Sequence, residues 1–431
     1  MKLYSQISKL IIFALILICN ISVSQNFVNN GAKIVINNGA YVYVGGSFVN
    51  IASQEDAQID MSNSTIEVKR DWINDNNIGE VFINQGNQGN VILSSNISNQ
   101  IISGFTPTYF DNLTLKGNKK KLEVDNCKIH NILTIENTFL DLNKNSIHII
   151  SNSANAITEI NGYIKSETSS KDGYGLVKWN IGDKIDSYVI PFGTGNKNYS
   201  DIPLTFQTIT NGSINGSVWF GTYPTNTYNY PYPDRVFVLN GDDPELMIDR
   251  FWIIKPEYET KPSINIGFKF TDEDLGSKSK LKTEKLKAIR YNDISNTWND
   301  LLPIGVADEI NKTLYTETIE DNDFYEAWTL INEEYVSAFY IPKSFTPNGD
   351  GKNDFFGPVS KTLDPDFYSF YIFDRWGKLI YQTDDLAKPW DGKVKNKNET
   401  IQQGVYTYLI YSRDITTKTR IQECGIVTVV K

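Results

Sequence analysis

From Asn26 to about Tyr163 the chain is built of short runs in which apolar and polar positions alternate. Examples are AKIVI, AYVYV, STIEV, EVFIN, NVILS and QIIS, separated by Asn, Gly and Ser. A period of two over four or five residues predicts half-buried strands, and Asn and Gly between them predict tight turns. NLTL at Asn112–Leu115 recurs as ILTI at Ile132–Ile135, and LEVD at Leu122–Asp125 recurs as LDLN at Leu140–Asn143, at offsets of 20 and 18 residues. Strand pairs repeating at such a period predict stacked rungs of a β-solenoid, with Leu and Ile inward and Asn and Thr outward. An irregular meander is the alternative.

From Ile164 to Glu334 the runs lengthen and gain aromatic residues, as in GLVKWNIG, DIPLTFQTI, GSVWFGTYP, RFWIIKP and EAWTLINE. Such strands between Gly, Pro and Asn turns predict a β-sandwich. TYPTNTYNYPYPDR, Thr222–Arg235, interrupts the pattern. Proline removes ladder donors, so this stretch is expected as a long aromatic loop. It either covers a sheet edge or presents tyrosine rings to a sugar or another surface.

The tail, residues 341–431, again reads as short strands with tight turns. FYIFD and KLIYQ flank Arg375-Trp376-Gly377, a hairpin signal. In VYTYLIY the alternation puts Tyr406, Tyr408 and Ile410 on one face and Val405, Thr407 and Leu409 on the other. Trp376 and Trp390 are both expected in the core of this small sandwich. No sustained helical stripe appears after residue 25. The fold class is therefore all-β, in four parts: a leader, 1–24; a β-solenoid-like region, 25–163; a β-sandwich region, 164–334; and a small Ig-like β-sandwich, 335–431.

The leader assignment rests on Lys2 and Lys9 ahead of the apolar run Leu10–Cys19, followed by Ser22-Val23-Ser24 before Gln25. That is a secretory signal peptide pattern, and ten apolar residues are too few to span a bilayer. Ile18 stands where a lipoprotein signal wants a small residue, so Cys19 is not expected to carry a lipid. No later run reaches spanning length, so no transmembrane segment is expected after cleavage.

Charge narrows the partners. The chain has 41 basic and 51 acidic residues, and losing Lys2 and Lys9 leaves 39 against 51. A net of −12 without a basic stripe argues against nucleic acid. Cys127 and Cys424 fall in different regions, so no disulfide is expected and the cores must supply the stability.

Catalytic signals are weak. His130 and His148 lie 18 residues apart in the solenoid-like region without further metal ligands around them, and are expected as polar surface residues. No nucleophile elbow or cysteine-protease motif appears. Glycosidase or polysaccharide-lyase chemistry, on carboxylates or on Arg, Lys and Tyr groups, stays open as the alternative.

One stretch, FTPNGDGKNDFF, offers a metal. Counted from Thr346, oxygen-bearing groups fall at positions 1 (Thr346), 3 (Asn348), 5 (Asp350), 7 (the Lys352 carbonyl) and 9 (Asp354), with Gly351 at 6. That is the opening of an EF-hand-type calcium loop, less its acidic first residue and its Glu at 12. The alternative is an Asx-rich turn whose carboxylates bond backbone amides. Calcium is the one candidate cofactor.

Six short segments occur in order in this tail: Phe345-Thr346-Pro347-Asn348-Gly349-Asp350-Gly351 with Asn353-Asp354, Arg375-Trp376-Gly377, Trp390-Asp391-Gly392, Gly404-Val405-Tyr406 and Gly425-Ile426-Val427. Together they resemble the gliding-motility-associated C-terminal domain, the type B sorting domain of the Bacteroidetes type IX secretion system. The resemblance implies export across the outer membrane, with the type IX secretion machinery as partner. Residues 26–334 resemble passenger regions of secreted Bacteroidetes proteins, notably in GYIKSE and YVIPFGTGNKNYSDIPLTF. The expected function is a non-enzymatic, adhesin-like or structural interaction protein at the cell surface, with extracellular glycans or other surface proteins as partners. The alternative is a carbohydrate-active enzyme or carbohydrate-binding protein exported by the same route.

Overall fold

Asparagine at the ends of short strands is the local feature from which the first part of the fold grows. In the computed structural model, Asn63, Asn126, Asn137, Asn143 and Asn161 all have positive φ, a conformation asparagine tolerates because its short amide can bond the local backbone. Each turns the chain from one strand to the next. The structure describes residues 25–52, 55–78, 80–83, 89–168, 173–236, 244–294, 296, 298, 303–332, 340–350, 353–360, 363–395, 401–413 and 420–430. The leader, residues 1–24, lies outside them. Contacts divide the chain into two compact units. One holds the residues up to Pro203 except Gly182–Ser187 and Lys171–Gly173, and the other holds the remainder.

The first unit is a β-solenoid of about 5 turns. One face stacks Phe27–Asn30, Phe48–Ile51, Trp72–Asp75, Gln100–Ser103, Lys120–Leu122, Phe139–Asp141 and Tyr163–Lys165 in parallel. A second face includes Tyr41–Val44, Thr65–Val68, Asn90–Ser95, Tyr109–Gly117 and Cys127–Glu136, again in parallel. The repeat legible in the sequence is a structural register: Asn112 pairs with Ile132 and Leu115 with Ile135. The second repeat is corrected. Lys120, not Leu122, stands opposite Leu140, so this register also runs at an offset of 20.

The interior is not purely aliphatic. Phe27, Phe48 and Trp72 stack at 5.1 and 4.5 Å between centroids. Two residues further along each strand, Asn29, Asn50 and Asn74 are buried beside one another. This corrects the expectation that asparagine faces out. The physical reason is that turning corners bury carbonyls that strand ladders do not satisfy. Asn29 Nδ2 donates to Asn50 Oδ1 at 3.0 Å, Asn50 Nδ2 to the Ala57 carbonyl at 3.0 Å, and Asn74 Nδ2 to the Ile78 carbonyl at 3.3 Å.

Lys120 is the other inward polar residue, fully buried. Its Nζ donates to the carbonyls of Lys116, at 2.6 Å, and Asn118. Burial, and then the nearby charge of Lys69, hold this amine down at about 7. The unfolded chain keeps the proton up to the ordinary lysine range, so between about 7 and 10 it binds more protons than the folded chain. Stability contributed at this site therefore rises with pH across that window. Thermal melts at pH 7 and pH 9.5 should show wild type gaining relative to Lys120→Met. Equal differences at both pH values would contradict the assignment.

In the second unit, antiparallel strands Ser217–Pro224, Met247–Glu257, Ala327–Asn332 and Leu286–Tyr291 form one sheet. Leu204–Thr208, Ile264–Lys269, Thr313–Tyr315 and Val306–Asp308 are neighbours in another. The sheets meet through Phe206 on Phe220, at 5.3 Å, and Trp252 on Phe268, at 4.9 Å. Thr222–Pro224 belongs to a strand, which shortens the expected aromatic loop from its N-terminal side.

The C-terminal strands form a five-stranded sheet in the order Ser344–Phe345, Arg420–Val429, Gly404–Arg413, Ser369–Phe373, Leu379–Thr383. Tyr408 and Ile410 point into a core and Val405 and Thr407 to solvent, as the alternation requires.

Candidate functional site

The tail signature residues fall into two groups. The first converges on Trp390, which is fully buried. Phe345 lies 5.2 Å from its ring and Tyr406 packs on it edge-on at 5.4 Å. Its Nε1 donates to the Lys393 carbonyl at 2.9 Å. Trp390 and Phe356 also exchange backbone hydrogen bonds, at 2.7 and 2.8 Å. Two glycines permit the packing. At Gly392 (φ +75°) a Cβ would meet Pro347 Cγ at 2.7 Å, and at Gly425 it would meet the Tyr408 hydroxyl at 2.4 Å. So the prolyl and glycyl positions of separate segments touch because one ring cluster joins them. Gly404 opens the strand that pairs Tyr406 with Val427.

The candidate cation loop is an internally bonded turn. Asp354 Oδ1 accepts from the amides of Asn348 and Gly349 at 3.0 and 2.6 Å. Asn348 Oδ1 accepts from the Asp350 amide and its Nδ2 donates to Asp350 Oδ2, each at 3.0 Å. The Thr346 amide donates to the Asn353 carbonyl at 2.8 Å. Gly351 and Lys352 lie outside the described residues. Among the described residues no group of three or more His, Cys, Asp or Glu side chains could hold a metal ion.

The second group is Arg375-Trp376-Gly377, and here the expected burial is corrected: Trp376 is 83% exposed. The pairing of Ser369–Phe373 with Leu379–Thr383 shifts register between Ile372 and Phe373, so the turn residues belong to neither face of the alternation. Asp374 Oδ1 accepts from the Trp376 and Lys378 amides, both at 2.9 Å, and fixes the turn. The Arg375 guanidinium lies 5.6 Å from the indole centroid.

Two clefts lie on the solenoid among the described residues. One, of about 530 Å³, is lined by Asn, Thr, Ser and Ala side chains and by Ile132. The other, of about 490 Å³, holds Phe139 stacked on Tyr163 at 4.8 Å, with Tyr199, Asn137, Asn161 and Lys119. Lys119 Nζ sits 5.4 Å from the Phe139 ring. No carboxylate lines either cleft. His130 and His148 are half-buried rather than on the open surface, and His148 stands opposite Lys128 rather than His130. Burial pushes His130 below the usual imidazole range.

The aromatic loop is held from beneath by a buried ionic network that sequence reasoning missed. Arg250 Nε donates to Asp274 Oδ1 at 2.8 Å and Nη1 to Thr222 Oγ1 at 2.8 Å. Lys278 Nζ lies 2.7 Å from Asp249 Oδ1 and 3.3 Å from Asn229 Oδ1. Asn229 Nδ2 donates to the Ile248 carbonyl at 2.8 Å. Only the alternation-breaking MIDRFW run, two charges inside an apolar strand, signals it in the sequence. Above this anchor Tyr228 and Tyr230 are 75% and 61% exposed.

The features described define a β-rich chain whose C-terminal strands form a five-stranded sheet over an aromatic core. That domain is of a known kind: the CHU_C Type IX secretion signal domain model matches residues 339–429. The chain is therefore exported by the type IX secretion system across the outer membrane, to the cell surface or the extracellular space. No curated protein and no solved structure matches the chain. Among the described residues no helix is long and apolar enough to cross a membrane.

Proposed function

We propose that the exported chain is an adhesin-like interaction protein whose solenoid presents carboxylate-free, amide- and hydroxyl-rich clefts to partners outside the cell. The observation that carries this reading is the lining of the two clefts, which has hydrogen-bonding groups and aromatic faces but no carboxylate. Acid–base hydrolysis of a glycosidic bond calls for a pair of carboxyl groups flanking the bond, which neither cleft supplies, so binding fits better than hydrolysis.

A glycan is the second reading, favoured by the exposed Tyr199 ring and the half-buried Phe139 beside three asparagines, since aromatic rings and amides suit the faces and hydroxyls of a sugar. The leader remains part of this proposal: cleavage after Ser24 delivers the chain to the periplasm before the tail is recognised. A glycan array combined with a reducing-end assay on the whole exported chain tests the reading. Binding reduced by Tyr199→Ala, with no polysaccharide cleaved, is the expected outcome. Release of new reducing ends would replace it with an enzymatic function.

A further inference from the structure

We infer that the outward face of the C-terminal sheet, together with the Trp376 turn, is the surface by which a protein of the export machinery grips this chain. The inference builds on the export role of residues 339–429 and specifies where that role resides. In an antiparallel sheet with one face on a core, the other face is ordinarily polar. Here it is not. Leu379 neighbours Phe373, Phe373 pairs with Thr407, and Thr407 with Ile426. Val405 and Leu409 lie on the same face of their strand, and Val405 and Ile426 are 51% and 64% exposed. Apolar residues thus recur across the sheet on either side of Thr407, and the turn at one edge of the sheet displays the exposed Trp376 indole. Exposed apolar side chains grouped in this way on a folded domain mark an interaction site.

The polar groups at its end indicate the partner. Arg375 and Lys378 are both exposed beside Trp376, while the Asp374 carboxylate is turned back onto the amides of Trp376 and Lys378. The turn therefore offers cations outward and keeps its anion inward. The complementary surface is an apolar trough with carboxylates at one end, on a protein. Within this domain the two tryptophans divide the work: Trp390 holds the core, and Trp376 contributes nothing to it and is displayed on a turn fixed by four hydrogen bonds.

The test uses the full chain in a host bearing the type IX system, with extracellular and periplasmic amounts measured for each variant. Trp376→Ser, Ile426→Thr and the charge reversal of Arg375 and Lys378 to Glu should each lower the extracellular fraction by about tenfold, the effect of losing ~1.4 kcal/mol of binding. The melting temperature of each purified variant should match wild type. Phe355→Ser, an exposed apolar change off this sheet, should export normally. Export of the folded sheet-face variants at the wild-type level would overturn the docking surface alone, whereas export of a chain lacking residues 339–431 would overturn the export role beneath it. Two further outcomes would reassign the face: wild-type dimers that Ile426→Thr dissociates would make it a self-contact, and Trp376-dependent flotation with phospholipid vesicles would make it a lipid contact.

Discussion

Replacing Arg250 by alanine is expected to cost about 3–5 kcal/mol, the magnitude for leaving one member of a buried ion pair unmatched. Both side chains of the Arg250–Asp274 pair are nearly inaccessible, at 2% and 4% exposure. Asp274 cannot turn to water without dismantling its helix start, because its Oδ2 accepts the Thr271 amide at 2.8 Å in a capping box. The lost guanidinium also takes away the hydrogen bond it donates to Thr222 Oγ1 at the base of the aromatic loop. Chemical denaturation of the single and double variants separates the causes. Arg250→Met alone should be strongly destabilising, and Arg250→Met with Asp274→Leu should recover much of the loss, since a matched apolar pair leaves no buried charge. If Arg250→Met unfolds at wild-type denaturant concentration, the pair does not stabilise the fold.

Trp390→Ala is expected to destabilise the C-terminal domain by about 3–5 kcal/mol, a large share of the total stability of a small domain. The indole is touched by Phe345, Phe356, Tyr381 and Tyr406, so its loss opens a cavity at the point where four segments meet. Calorimetry should show a transition moved to lower temperature, while Trp376→Ala leaves it in place. Equal effects of the two substitutions would mean that the exposed indole also supports the fold.

These two sites differ in how far the sequence reveals them. The ring cluster around Trp390 was legible because its members come in an ordered set of short segments, each with a turn glycine. The Arg250 network was not, because its four charged members are spread from Asp249 to Lys278 and no periodicity marks which charges turn inward. The solenoid shows the same division. Apolar alternation gave the strands, and the Asn112–Leu115 repeat gave a true register. Yet Asn50 and Lys120 point inward to satisfy carbonyls that exist only once the corners have formed, and an asparagine in a polar position looks the same in either direction. Trp376 misled for a related reason. Hydrophobicity predicts burial on a strand, but on a turn the backbone, here bonded through Asp374, decides where the ring goes.

The parallel stacking of the solenoid also governs how it would respond to load. A protein held at a cell surface by one end and a partner by the other is stretched, and in a stack each turn is attached only to its neighbours. Tension would then detach turns one after another instead of breaking the whole body at once. With 20 residues between Leu113 and Leu133, detaching that turn would release about 70 Å of extended chain. The asparagine ladder and the Phe27–Phe48–Trp72 stack tie the first three turns to each other, and Phe139 on Tyr163 ties two later ones, so yielding would be uneven along the stack, with the turns between these clasps lengthening first and absorbing the pull.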